Sequence, residues 1–87
     1  DYNKAQYKMG YLHFKGFGVD KDYKEALKWF KLSADQNNCK AQYKMGYMYQ
    51  NGFGVDKDYK EAMKWYKLSA DQGNKSAILN LNYIVNK

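Results

Sequence analysis

Arginine and proline are missing from this sequence, cysteine and histidine occur once each, and no apolar run approaches the length of a membrane-spanning helix. Each gap excludes something. A lone cysteine, Cys39, rules out an intramolecular disulfide and any multi-cysteine metal site. A disulfide-stapled secreted module is thereby excluded, and the compartment is otherwise open, with the cytoplasm favoured. His13 has no second histidine, no cysteine pair and no clustered carboxylates with which to build a zinc site or a catalytic centre. Neither catalysis nor a bound cofactor or metal is expected of this chain. The missing arginine qualifies the net charge of +6, because all 15 basic residues are lysine. Arginine is the usual bidentate reader of phosphate and base edges, so this basicity argues less for nucleic acid than its size suggests. An anion-binding surface is its functional reading. Abundant Lys, Asn and Tyr are also what an AT-rich genome tends to encode.

What is present is repetition. The eleven letters GFGVDKDYKEA run from Gly16 to Ala26 and again from Gly52 to Ala62. Residues 4–11, 16–26, 28–29 and 31–36 recur letter for letter 36 positions later. A period in the range of roughly 20–50 residues marks a solenoid array, whose units bury their apolar faces only by stacking. At 87 residues the chain suffices for one domain. The expected layout is repeat one at 1–36, repeat two at 37–72 and a partial or capping third repeat at 73–87. The chain opens mid-pattern at Asp1 without an initiating Met or a signal-peptide pattern, so the array is expected to continue upstream and to end near Lys87.

Each unit reads as two helices. In the second copy Asn38 caps a helix over residues 39–51, with Ala41, Met45, Gly46, Met48 and Tyr49 on its inward face. Gly52 stands where a left-handed terminal residue is favoured. The partner helix starts at Asp58, whose side chain with Glu61 three residues on forms a capping box; Asp22 and Glu25 repeat it. Its predicted inward stripe is Tyr59, Ala62, Met63, Tyr66, Ser69 and Ala70. Gly10 and Gly46 each sit mid-helix, where glycine costs about 1 kcal/mol relative to alanine. Close helix approach is the expected compensation, with Ser69 and Ala70 as the neighbours of Gly46. The Gly52-Phe53-Gly54-Val55-Asp56 stretch is not a phosphate loop, since no GK[ST] follows and no strand precedes it. It reads as a helix stop and a turn, with Val55 tucked between the helices. Trp29 and Trp65 read as packing residues beside Phe30 and Tyr66.

The stretch AQYKMGYMYQNGFGVDKDYKEAMKWYKLSADQGN resembles the Sel-1-like repeat family, relatives of the tetratricopeptide repeats. The matching residues are Ala41, Met45-Gly46, Tyr49, Gly52, Gly54-Val55, Asp58-Tyr59, Ala62, Trp65-Tyr66, Ala70 and Gly73. Gly10, Gly16, Gly18, Asp22, Ala26, Trp29 and Ala34 are their first-copy equivalents. Departures are His13 in place of a Tyr, Asn37 in place of a Gly, and Asn82 in place of the packing Gly of the third copy. The resemblance implies an all-α, right-handed α/α superhelix of antiparallel helix pairs, five helices in this chain. It also implies a non-catalytic role as a scaffold or adaptor.

By analogy with related solenoids, the first helix of each pair lines a concave groove. The residues off its buried stripe are Lys4, Tyr7, Lys8, Tyr11 and Phe14 in copy one. They are Lys40, Tyr43, Lys44, Tyr47 and Gln50 in copy two, and Ser76, Leu79, Asn80 and Tyr83 in copy three. This ladder of tyrosines beside lysines suits an acidic peptide or partner protein, because Tyr gives large contact area at small rotamer cost. Recent duplication alone also repeats residues, and the same tyrosines packing between repeats is the competing reading. RNA or another polyanion on the lysine surface is the alternative function. Lys24, Lys28, Lys31, Lys60, Lys64 and Lys67 read as a solvated convex face. Ile78, Leu81, Ile84 and Val85 either cap the core or pair with another molecule. Cys39, at a helix start, has no base supplied by sequence and reads as a chance substitution.

Overall fold

A computed structural model describes residues 2–86, which form five helices with no strand among them. They are α1 (Tyr2–Lys15), α2 (Tyr23–Ala34), α3 (Cys39–Asn51), α4 (Tyr59–Asp71) and α5 (Lys75–Val85). The expected chain ends, Asp1 and Lys87, lie outside the described residues. Helix α1 packs on α2 and α3 on α4, while α2 also lies against α3 and α4 against α5. This is a helical solenoid, 37 × 27 × 17 Å in extent.

The helix ends obey the capping residues. Asp22 and Asp58 stand in extended backbone, and each carboxylate accepts from the N–H of Glu25 or Glu61 at 3.1 Å. Asn38 and Asn74 cap α3 and α5, accepting from the N–H groups of Ala41 and Ala77. A side-chain oxygen at this position satisfies an N–H that helix geometry leaves without a partner, and stabilises by about 1 kcal/mol. Helix α3 stops at Gly52, with φ 71°. Asn37 turns the chain into α3 at φ 70°, where Gly73 has φ 92° in the next copy. Asparagine is among the few L-residues that enter this region readily.

Within each pair the helices meet at glycine. A Cβ on Gly10 would lie 2.7 Å from Cδ1 of Phe30, and one on Gly46 would lie 2.6 Å from Cδ1 of Tyr66. Close approach is thus real, but its beneficiary is an aromatic ring lying flat on the glycine, not the small Ser69 and Ala70. The two buried serines have another task. Ser33 Oγ donates to the Asn3 carbonyl at 2.6 Å, and Ser69 Oγ donates to the Cys39 carbonyl at 2.8 Å. Each ties a second helix to the first turn of the helix before it.

The core is made between copies. One cluster joins Phe14, Ala26, Phe30 and Ala34 of the first pair to Ala41, Met45, Met48 and Trp65 of the second. A smaller one joins Ala62 and Tyr66 to Ala77 and Ile84. On α4 the inward stripe differs from the periodic expectation. Ala62, Tyr66 and Ser69 are buried as expected, Met63 and Ala70 are half-buried, Tyr59 is exposed, and Trp65 is buried in their company. Trp65 packs inward, as its reading as a packing residue expects, because α2 of the preceding copy and α3 of its own offer it an apolar surface; the helix period alone leaves it off the stripe. On α5, Ile84 is buried and Leu81 half-buried, while Ile78 and Val85 are exposed.

A polar ladder accompanies the core. Gln6 and Gln42 are buried on α1 and α3. Gln36 Nε2 donates to Gln6 Oε1, and Gln72 Nε2 donates to Gln42 Oε1 at 2.8 Å. Gln42 Nε2 in turn donates to Asn37 Oδ1 at 3.1 Å. Buried amides are affordable when paired in this way.

Candidate interaction face

Helices α1, α3 and α5 lie side by side on one face of the molecule. Asn38 Nδ2 donates to Asn3 Oδ1 at 2.8 Å, and Asn80 Nδ2 donates to the Tyr43 hydroxyl at 3.3 Å. The predicted tyrosines repeat their geometry in both copies. Tyr7 and Tyr11 stack at 6.4 Å between centroids, and Tyr43 and Tyr47 at 6.3 Å. The lower member of each pair leans on the ring beneath it: Tyr7 on Phe30 at 5.6 Å and Tyr43 on Tyr66 at 5.7 Å. All four are half-buried, so each ring is partly core and partly surface. Burial, with Tyr11 and Tyr43 nearby, pushes the Tyr7 hydroxyl above its ordinary pKa. Leu79 and Tyr83 continue the two rows on α5 and are strongly exposed.

Two of the residues predicted to line this face serve it from beneath. Phe14 is buried and meets Phe30, Tyr47 and Phe53 edge-on or tilted. Its second-copy counterpart Gln50 accepts from the Tyr66 hydroxyl at 2.6 Å. Both sit in the last turn of their helices, and Phe53 from the loop after α3 lies against Phe14.

Lysines rim the face. Lys4, Lys8 and Lys40 are exposed, whereas Lys44 is half-buried. Its Nζ lies 5.1 Å from the Phe14 centroid, 5.6 Å from Tyr47, 5.9 Å from Tyr43 and 6.0 Å from Tyr11. Lys15 Nζ lies 5.9 Å from the centroids of Tyr11 and Phe14. Desolvation, with the Lys15 charge added, lowers the Lys44 pKa from its ordinary value. Helices α1, α3 and α5 contain no Asp or Glu at all. The carboxylates go instead with the second helices: Glu25 on α2, Glu61 and Asp71 on α4, and Asp35 just past α2, where Lys31 pairs with Asp35 at 3.0 Å and Lys64 with Glu61 at 3.6 Å. This segregation of charge is written in the sequence: once the first helices are marked, their missing carboxylates can be read directly.

Among the described residues, clefts open on both helix layers. A cleft of 400 Å³ lies on the first-helix face between α1 and α3, lined by Lys4, Tyr7, Asn38, Cys39 and Lys40. Cys39 is half-buried there, with its Sγ 3.3 Å from Ser69 Oγ. The other, of 420 Å³, lies between α2 and α4 and includes Trp65, Tyr49 and both ion pairs. Among the described residues no group of three His, Cys, Asp or Glu side chains could hold a metal ion, and no helix is long and apolar enough to cross a membrane.

The model of the Sel1 repeat matches residues 3–38 and again 39–74. A Sel1-like repeat-containing protein, L18, of Acanthamoeba polyphaga mimivirus is 44% identical over 34 residues, which is 39% of this chain and 6% of that protein. The crystal structure of a Sel1 repeat protein from Oxalobacter formigenes superposes with a TM-score of 0.92 at 38% identity, over 94% of this chain and 34% of that one. A protective antigen of uropathogenic Escherichia coli, c5321, displaying an SLR fold, gives 0.93 at 39% identity, over 94% of this chain and 18% of its own. The chain thus spans about a third or less of each of these three relatives. Cysteine-rich protein B of Helicobacter pylori shares the fold, with a TM-score of 0.82 at 24% identity, over 87% of this chain and 57% of that one. With two successive repeats matched over most of its length, this chain belongs to the Sel1 repeat family.

Proposed function

We propose that this array is a non-catalytic scaffold that binds a peptide or partner protein on the face of α1, α3 and α5. Sel1 repeats are in general protein-interaction modules, which supports the class of function. The observation that carries the location is the sign and chemistry of that face: stacked tyrosines, exposed Leu79 and Tyr83, exposed lysines and no carboxylate on any of its helices. Exposed aromatic surface rimmed by charge of one sign is what a partner of opposite sign fits. The protein reading outranks RNA on geometry. The tyrosines stack on one another and lean on core rings, which occupies the faces that bases need.

Replacing Tyr11, Leu79 and Tyr83 with Ser tests the reading while sparing the rings that rest on Phe30 and Tyr66. Capture from the native host should retain specific proteins on the wild-type array and lose them on the variant, with unchanged circular dichroism. Equal retention by both would move the binding surface elsewhere. Retention of nuclease-sensitive material that falls steeply with salt would replace the protein reading with the polyanion one. Self-association through the exposed Ile78 and Val85 of α5 predicts concentration-dependent sedimentation, and a strict monomer would remove it.

A further inference from the structure

We infer that the first-helix face recognises an extended acidic segment at two points: a side-chain carboxylate seated between Lys15 and Lys44, and an apolar side chain in the cleft between α1 and α3. This rests on the interaction role proposed above and names the chemistry of its ligand.

The carboxylate site follows from an arrangement that makes little sense without an anion. Lys15 and Lys44 come from different repeats, yet both ammonium groups converge on the same two rings, Tyr11 and Phe14. Like charges brought together over a half-buried aromatic floor repel, and desolvation adds to the cost. Each ring face offsets part of it, on the order of 0.5–1 kcal/mol at an exposed site. No carboxylate among the described residues forms an ion pair with either lysine, and α1, α3 and α5 contain none. The depressed basicity of Lys44 is the same imbalance expressed as a titration. An incoming carboxylate would relieve both the repulsion and the exposed charge, at a place where partial burial strengthens the attraction.

The second point lies farther along the same face. The cleft of 400 Å³ is walled by Tyr7 and Cys39 and by the stems of Lys4 and Lys40. Those stems are apolar even though their heads are charged. From Tyr7 to Phe14 along α1 is seven helical steps, about 10 Å. An extended chain covers that in about three residues. The ligand is therefore an extended segment with an aliphatic or aromatic residue about three positions from an Asp or Glu.

Amidated, acetylated octapeptide libraries provide the probe. One library fixes Glu at a central position and its twin fixes Gln, with the remaining positions degenerate. A second pair keeps the Glu and places Leu or Ser three residues away. The wild-type array should retain the Glu library about tenfold over the Gln library, the size expected of one charge-assisted contact. Lys44→Met keeps the stem over the rings and should abolish that preference, as should Lys15→Met in large part. In the second pair, Leu should bind better than Ser. On adding the Glu peptides, the Lys44 ammonium should titrate at higher pH by NMR, a response that a purely structural lysine would not give. Equal retention of Glu and Gln, or a preference that survives both lysine variants, overturns the carboxylate site. Equal binding of the Leu and Ser peptides overturns the cleft. Better binding by peptides whose only carboxylate is a free C-terminus assigns the lysine pair to chain ends and overturns the side-chain reading. If the lysine variants keep the preference while the Tyr11, Leu79 and Tyr83 variant loses it, the face binds peptides but not through this pair. If no variant matters, the proposed function falls with the inference.

Discussion

The two full repeats are nearly the same text in different surroundings. Phe17 is 57% exposed, whereas its copy Phe53 is half-buried and stacks on Tyr23 at 4.7 Å. A Cβ on Gly18 would meet nothing, while one on Gly54 would lie 2.7 Å from the Tyr23 backbone. Ala5 is exposed where Ala41 is buried, and Trp29 is half-exposed where Trp65 is buried. None of these residues differs in identity between the copies. What differs is that copy two has the helices of copy one packed against it, so burial here is a property of position in the stack.

The copies also differ where letters have changed, and there the changes are coupled. In copy one, Phe14 and Phe30 meet as two rings at 6.3 Å. In copy two the same positions hold Gln50 and Tyr66, joined by a hydrogen bond of 2.6 Å. Exchanging one member alone would leave the half-buried Gln50 amide without the Tyr66 hydroxyl, or that hydroxyl with Asn80 alone, at a cost of about 1 kcal/mol. Exchanging both keeps each site satisfied.

The largest effect should come where the copies agree. Gly46→Leu drives a side chain into the fully buried ring of Tyr66, and Gly10→Leu does the same against Phe30. Each should destabilise by about 3 kcal/mol, the upper part of the overpacking range, read as the shift in a urea midpoint. A melt that barely moves would mean that the ring is free to slide away. A smaller effect separates the copies. Gly18→Ala and Gly54→Ala both place alanine at a positive φ, 75° and 74°, and share that cost of about 1 kcal/mol. Only Gly54→Ala also collides with the Tyr23 main chain, so it should cost about 1–2 kcal/mol more. Equal losses would show that the interface between repeats yields easily.

The helices, their caps and the pairing of copies were legible in the sequence because they depend on residues a few positions apart. Asp58 to Glu61, Asn38 to Ala41 and the turn at Gly52 are local chemistry, and the 36-residue period is arithmetic. Trp65 was read as packing, but the surface it packs on, the ring above Gly46 and the place of Phe14 and Gln50 under the face depend on contacts between helices. Helical periodicity assigns each residue an angle, not a neighbour. The polar ladder of Gln6 and Gln42 escaped for the same reason, since glutamine on a helix carries no local sign of burial. Lys44 was picked out as a face residue, but its convergence with Lys15 required the two repeats to be side by side.

The smallest effect, Tyr66→Phe, separates hydrogen bonding from ionisation. The substitution gives copy two the ring of copy one and leaves Gln50 without its donor, so stability near neutral pH should fall by about 1 kcal/mol. Adding Gln50→Phe should recover most of that by rebuilding the ring pair. At alkaline pH the gap narrows. Burial raises the Tyr66 pKa well above 10.0, further aided by Tyr43 and Tyr47 and opposed by the hydrogen bond from Asn80. Below pH 10 the folded and unfolded chains both hold this proton, and Tyr66 adds no pH dependence. Above pH 10 the unfolded chain releases it while the folded chain keeps it, so stability falls as pH rises. Tyr7 and Tyr49, also raised, act in the same direction. Lys44, being lowered, acts oppositely beneath its ordinary 10.5, where the unfolded chain holds the extra proton. Urea midpoints at pH 8 and pH 11 should therefore converge for wild type and Tyr66→Phe, because the variant has one tyrosine fewer to lose. Parallel declines would place the alkaline sensitivity in the other tyrosines and leave the Tyr66 hydroxyl with only its structural part.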